Sequence, residues 1–303
     1  MNRLLQLLPV TVLIALTACN PTVKRTESGL EYIVYRGNGG GPAPVSGSTV
    51  KLHYQQLFHD TVTMSTYEKM PYYKALIPGT IFAYDPFEVL AHDIREGDSI
   101  VVMRRLDSLL SKGKLAKLPP GSKPTDKLLT CIKVLRIFPF DIMNTRASDS
   151  LLYVDKVAEK RKIDSIQTIM GPKRVQNYLA QKNITATATP TGAYLQVIEP
   201  GSGIQADSGR QVFVQYKVST LQGKVIDTNM DSTFHHTDAL IFEAGSQYMM
   251  KPVDQALRGL KKGGHAKIYI PTMLTNNHNG EGAAESGYDD IIFEILLLDV
   301  IAK

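Results

Sequence analysis

From residue 29 onward, apolar and polar positions alternate with a period of two in short runs, the pattern of half-buried strands. LEYIVYR (30–36) and TVKLHYQQLF (49–58) flank the turn-rich GNGGGPAPVSGS, and REGDSIVVMRRL (95–106) and DKLLTCIKVLRIF (126–138) follow. The same order then returns: AYLQVIE (193–199), the turn PGSGIQADSG, QVFVQYKVST (211–220), KKGGHAKIYIPTML (261–274) and DDIIFEILLLDVI (289–301). A repeat of about 110 residues is a duplicated domain rather than a solenoid unit. Between the copies the period becomes helical: Leu151, Leu152, Val154 and Val157, then Ile163, Ile166, Ile169 and Met170, then Val175, Tyr178 and Leu179. Ser148 or Asp149 suits the start, Gly171-Pro172 breaks the run, and Asn183 suits the end, which predicts helices over about 149–169 and 172–182. NITATATPTG then reads as an extended connector. The pair of helices is open to two readings, a spacer packed on one domain or a homodimerisation arm over 149–182.

A second short helix is expected late in the chain. Pro252 fits a first helical turn, Val253, Ala256, Leu257 and Leu260 fall at i, i+3, i+4 and i+7, and Gly263-Gly264 is expected to end it.

The N-terminus has a different pattern. Arg3 precedes an apolar run from Leu4 to about Leu16 that is interrupted by Pro9 and ends in Leu16-Thr17-Ala18-Cys19. The layout is that of a secretory signal, too short and too early for a good membrane span. The Cys after two small residues resembles a lipobox, which implies cleavage after residue 18 and lipidation of Cys19. No second apolar stretch is long enough to span a bilayer. The expected organisation is signal peptide 1–18, lipidated tether 19–27, first domain 28–139, helical linker 140–189 and second domain 190–303.

Composition narrows the chemistry. The net charge of +5 has no dense Lys/Arg block behind it, so nucleic acid is not an expected partner. With Cys19 acylated, Cys131 is the one remaining thiol of two, and its apolar surroundings make it an expected buried small hydrophobe. His235-His236 with Asp238, and NHNGEG at 277–282, read as solvated loops without the ligand spacing of a metal site. GNGGG lacks the Lys and Ser/Thr of a phosphate loop. No cofactor and no metal are expected.

Residues 192–303 resemble the FKBP family of prolyl isomerases across the length of that domain. The resemblance is carried by GAYLQVIEPGSG, VFVQYKVSTLQGKVIDTN, LIFEAGSQYMMKPVDQALRGLKKGGHAKIYIP and IIFEILLLDV. It implies an α+β fold, a curved antiparallel sheet around a short helix, and two such domains in this chain joined by a helical linker. It also implies rotation of X–Pro bonds in unfolded or extended proline-containing polypeptides. That rotation faces a barrier of about 18–20 kcal/mol, because the amide loses resonance. No covalent catalyst is needed if an apolar cup fits the twisted amide better than the planar one.

The resemblance transfers residue by residue. Tyr216 matches the family's pocket Tyr, Asp227 the acidic residue beside the bound carbonyl, and Phe293 the aromatic of the last strand; these three are the expected catalytic set. Ile226 stands where a Phe is usual, and Leu240 near another. Met249 and Met250 replace a Val-Ile pair, and Val253 stands at the floor, where Trp is common. Asn276 stands where the family has a Tyr whose hydroxyl bonds the ligand. Ile226, Leu240, Met249, Met250, Val253 and Asn276 are the expected substrate pocket. In the first copy Tyr54 matches Tyr216, but Thr63 and Met64 stand where the Phe-Asp pair belongs, so that copy is expected to be structural or partner-binding. The expected function is folding assistance to exported proteins from a lipid anchor. The alternative is a non-catalytic lipoprotein that binds peptides or a partner in the cell envelope. Asn20 after Cys19 resembles outer-membrane sorting, facing the periplasm.

Overall fold

The computed structural model describes residues 22–77, 79, 83–141, 143–246, 248–275 and 288–301. They fall into two units. The first runs up to Ser65 and from Tyr72 to Asp149; the second comprises Thr66–Pro71 and the chain from Ser150 onward. The expected signal, Cys19 and Asn276 lie outside the described residues. Among the described residues no helix is long and apolar enough to cross a membrane.

The first unit contains β1 (Lys24–Arg25), β2 (Glu31–Tyr35), β3 (Thr49–Phe58), β4 (Thr61–Ser65), β5 (Tyr72–Ala75), a 3-10 turn (Pro86–Ala91), β6 (Ser99–Arg105), α1 (Leu106–Ser111) and β7 (Lys127–Phe138). Its antiparallel sheet is ordered β1-β2-β6-β7-β3-β4, with β5 also on β3.

After α2 (Thr145–Gln181), the second unit contains β8 (Thr187–Ala188), β9 (Tyr194–Glu199), β10 (Gln211–Thr220), β11 (Val225–Thr228), β12 (Leu240–Glu243), α3 (Lys251–Leu257), β13 (His265–Ile270) and β14 (Ile291–Ile301). Its antiparallel sheet is ordered β8-β9-β13-β14-β10-β11, with β12 also on β10. Strand for strand this is the path of the first sheet. Even the irregularities recur: β3 breaks register at Lys51/Leu52 against β7 and at Gln56/Leu57 against β4, and β10 does so at Phe213/Val214 against β14 and at Val218/Ser219 against β11. The fold is α+β, two copies of one curled sheet.

Each sheet buries one face. In the second unit Val212, Val214, Ile268, Ile270, Ile295 and Leu297 close on Val253, Ala256, Leu257 and Leu260, the predicted apolar stripe. The helix itself ends earlier than expected, at Leu257, and Leu260 lies in the turn beyond it. Gly263, at φ +76°, instead makes the turn into β13. Part of the connector forms β8. Cys131 is half-buried rather than core, because the side chains of β7 alternate and its neighbours Thr130 and Ile132 take the inner face. Burial pushes its thiol pKa up.

The expected helix break at Gly171-Pro172 does not occur: α2 is continuous through Pro172 and starts at Thr145. Its buried face is Ile163, Gln167, Gly171, Val175 and Leu179, every fourth residue. Ile166 and Ile169 are exposed, as are Leu151, Tyr153 and Val154. Gly171 lets the helix come close, since a Cβ there would lie 3.3 Å from Pro271 Cβ and 3.4 Å from Asp290 Oδ1. Arg174 then grips buried Asp290 with Nε (2.6 Å) and Nη2 (3.2 Å), and Tyr288 donates to Asp164 Oδ1 at 2.7 Å. Val175 and Leu179 pack with Tyr269. Contacts on both sides of Pro172 offset the roughly 3 kcal/mol that an interior proline costs.

Candidate functional site

The second sheet brings Tyr216, Asp227 and Phe293 together. Tyr216, on β10, stacks on Phe293 of β14 with ring centroids 5.6 Å apart. Its hydroxyl donates to Asp227 Oδ2 at 2.7 Å. Burial, then the bond to Asp227 and its negative charge, push the phenol up to about 12 from 10.0. Phe293 is 3 % exposed and Val253 1 %, so these two form a dry floor. Tyr216, Leu240, Met249 and Met250 are half-buried and pack against that core as its walls. Ile226 is not brought into this set: it is 38 % exposed, because on β11 its side chain lies on the face opposite that of Asp227. Beside the start of α3 a groove of about 380 Å³ runs along Pro190, Thr191, Lys251, Pro252, Met273, Leu274 and Thr275.

Three residues missed in the sequence reading hold the acidic rim in place. Thr228 Oγ1 donates to the Tyr216 carbonyl (2.9 Å), and Asn229 Oδ1 accepts from the Tyr216 N–H (2.6 Å). Asn229 Nδ2 donates to the carbonyls of Val214 and Asp238 (3.2 and 2.9 Å). Thr228 and Asn229 are buried, so IDTN is a clamp rather than a solvent turn. His236 is the third. The 3-10 turn Ser232–Phe234, capped by the Asp231 side chain, ends at His235 with φ +60°, and the chain turns so that His236 Nε2 lies 3.0 Å from Asp227 Oδ1. Both carboxylate oxygens are therefore engaged, one by Tyr216 and one by His236. The IDTN run and the tandem His pair were the available signals.

The first sheet repeats the frame with other chemistry. Met64 pairs with Gln56 as Asp227 pairs with Val218, and Tyr54 donates to Met64 Sδ at 3.3 Å where Tyr216 donates to Asp227. Thr130 stands opposite Val102 as Phe293 stands opposite Ile268. Tyr54, Tyr72 and Phe87 pack against each other, centroids 5.1–5.8 Å apart, and Tyr54 is 2 % exposed. Three aromatic rings thus line the first cup, where the second has one aromatic pair, Tyr216 and Phe293.

Comparison with known proteins bears on the second unit. Residues 203–298 match the family model described as FKBP-type peptidyl-prolyl cis-trans isomerase. A "FK506-binding protein" of Neisseria meningitidis serogroup B is 28 % identical over 109 residues, 36 % of this chain and 96 % of that protein. The "FKBP-type peptidyl-prolyl cis-trans isomerase FkpA" of Escherichia coli K12 is 25 % identical over 130 residues, 43 % of this chain and 45 % of that one. The crystal structure of FkpA from Escherichia coli aligns with a TM-score of 0.43 at 23 % identity, covering 52 % of this chain and 70 % of that one.

Proposed function

We propose, from the premise that the chain belongs through its second unit to the FKBP-type peptidyl-prolyl cis-trans isomerase family, that it rotates X–Pro bonds in exported polypeptides with the cup built on Tyr216, Asp227 and Phe293. The observation that carries the reading is the joining of these three side chains, from three strands, around an apolar floor. The proline ring packs on Val253 and Phe293, between Leu240, Met249 and Met250. A planar amide is strongly dipolar and well solvated; the twisted one has lost its N–C resonance and much of that dipole. Moving the bond from water into a dry cup therefore penalises the ground state more than the transition state. Tyr216 and His236 hold the Asp227 carboxylate at the rim, where it accepts a backbone N–H of the bound peptide.

The test is a protease-free isomerisation rate on the full chain with a proline-containing tetrapeptide. Turnover that Asp227→Ala lowers supports the reading; turnover untouched by that change overturns it. Asn276, where the family carries a tyrosine hydroxyl, favours a second reading, peptide binding without turnover. Peptide affinity with no rate enhancement would establish it.

The anchor belongs to the same proposal. Lipidated Cys19 ties the protein to an envelope membrane, outer and periplasm-facing, with the exposed Leu151, Tyr153 and Val154 of α2 as a homodimer seam. Cys19→Ala is expected to release the protein from the membrane fraction or leave the precursor uncut. A processed mutant that pellets as wild type does would refute the anchor.

A further inference from the structure

The end of β6 carries a charge where the fold calls for a hydrocarbon. Ile100, Val102 and Arg104 face the core in alternation, and Arg104 is 8 % exposed. Pro86–Arg104 aligns without a gap on Pro252–Ile270, so Arg104 occupies the place of the fully buried Ile270. On the neighbouring strand Thr130 occupies the place of Phe293. The first cup thus exchanges an isoleucine and a phenylalanine for an arginine and a threonine.

No carboxylate among the described residues pairs with this charge. Among the described residues the guanidinium makes one long hydrogen bond, Nη2 to Thr130 Oγ1 at 3.4 Å, and buried Nε has no partner. It forms no ion pair with any described carboxylate. Asp85 is close enough to be felt, but its Oδ1 accepts the Phe87 N–H at 2.8 Å as the cap of the 3-10 turn. Burial pulls the Arg104 pKa below its ordinary value. A lone buried ion costs several kcal/mol, and the second unit shows that isoleucine fits the position. A planar fork with open donors matches a carboxylate in shape and charge. Tyr84 lies within its field, and the Tyr54–Tyr72–Phe87 cluster belongs to the core of the same unit.

We propose that the first unit is a carboxylate receptor, in which Arg104 and Thr130 take up the carboxylate of a peptide. The group comes from a chain terminus or from a Glu or Asp side chain, and the experiment separates the two. Full-length ¹⁵N-labelled protein is titrated with acetyl-Ala-Ala-Pro-Ala as the free acid, with its C-terminal amide, with acetyl-Ala-Glu-Ala amide, and with acetate. The Arg104 Nε–Hε resonance, assigned by its loss in Arg104→Lys, is followed. A saturable shift with the free acid, at least tenfold weaker with its amide, identifies a terminus. Saturation by the Glu peptide identifies a side chain. Arg104→Lys, which keeps the charge but not the fork, is expected to bind at least tenfold more weakly. Arg104→Met is expected to lose binding while melting no lower than wild type. No saturable shift with either carboxylate peptide, equal affinity for acetate and peptides, or unchanged peptide binding in Arg104→Met would overturn the proposal.

Discussion

The two cups share a backbone and differ in the side chains they turn inward. In the second, Tyr216 bonds a carboxylate, Phe293 and Val253 make a floor, and half-buried Leu240, Met249 and Met250 pack against it. In the first, Tyr54 bonds a thioether, Thr130 replaces the floor ring, and Phe87 stands in line with Val253, its ring against Tyr54 and Tyr72. The lesson is that one register can be kept to the bulge while the chemistry is rewritten at a few inward positions. A proline pocket needs its side chains as well as its frame, and the first copy has exchanged the acid and the floor ring for Met64 and Thr130.

The comparison breaks most readily at the floor. Phe293→Ala is expected to cost about 3–5 kcal/mol of stability, the usual range for a buried ring, and to abolish turnover. Denaturant melts and rates on the same preparation check both; a fully stable, fully active variant would remove Phe293 from the floor. Next comes the rim. Asp227→Met copies the first unit's chemistry into the second and is expected to lower the rate about tenfold, or ~1.4 kcal/mol. Met64→Asp in the same background is not expected to restore it, because Thr130 and Phe87 still stand in the places of Phe293 and Val253. Recovery of rate in the double variant would show the first cup to be competent.

Smaller effects sharpen the picture. His236→Gln removes an exposed pair and is expected to slow turnover less than about threefold, in keeping with the modest worth of surface ion pairs; a loss as large as that of Asp227→Met would place His236 on a par with the carboxylate. The smallest effect is a pH dependence. The Tyr216 phenol sits at about 12 in the fold against 10.0 ordinarily, so the fold favours its protonated form. That contribution is complete below pH 10 and is lost as pH climbs through about 12. Tyr269, also raised to about 12, adds to the same fall. Denaturation midpoints across this range are expected to drop less steeply in Tyr216→Phe than in wild type.

Much of this fold was legible in the residues. TVKLHYQQLF and QVFVQYKVST are strands from first residue to last, because period-two alternation tracks a sheet with one buried face. Duplication was legible for the same reason. The continuity of α2 was not: Gly171-Pro172 is a local breaker, while what overrides it, Arg174 on Asp290, joins residues 116 apart. Within the site Tyr216, Asp227 and Phe293 were legible by spacing. The exposure of Ile226 was not, since adjacency to Asp227 in sequence puts it on the other face of β11. Thr228, Asn229 and His236 were missed because their partners are backbone groups and a carboxylate brought near by register and by one left-handed residue. Arg104 was not singled out, because REGDSIVVMRRL reads as a plain strand; its parity with Ile100 and Val102 was the available signal.

Sheets that agree even in their bulges pose a problem while the chain folds. β3 and β10 present the same breaks in pairing, so either would satisfy the backbone of β7 or β14 about equally well. Tandem domains of this kind are prone to strand exchange between neighbours. Backbone bonds do not discriminate, so the inward side chains must. Docked in the second sheet, β6 would drive the Arg104 guanidinium into the site of Ile270, among Val253, Leu257 and Ile291 with no partner at all. In its own sheet Arg104 keeps the Thr130 hydroxyl and the nearby Asp85 charge; the exchanged strand would lose both, which favours the correct pairing. Divergence between the copies is thus expected to disfavour chimeric sheets while the chain folds.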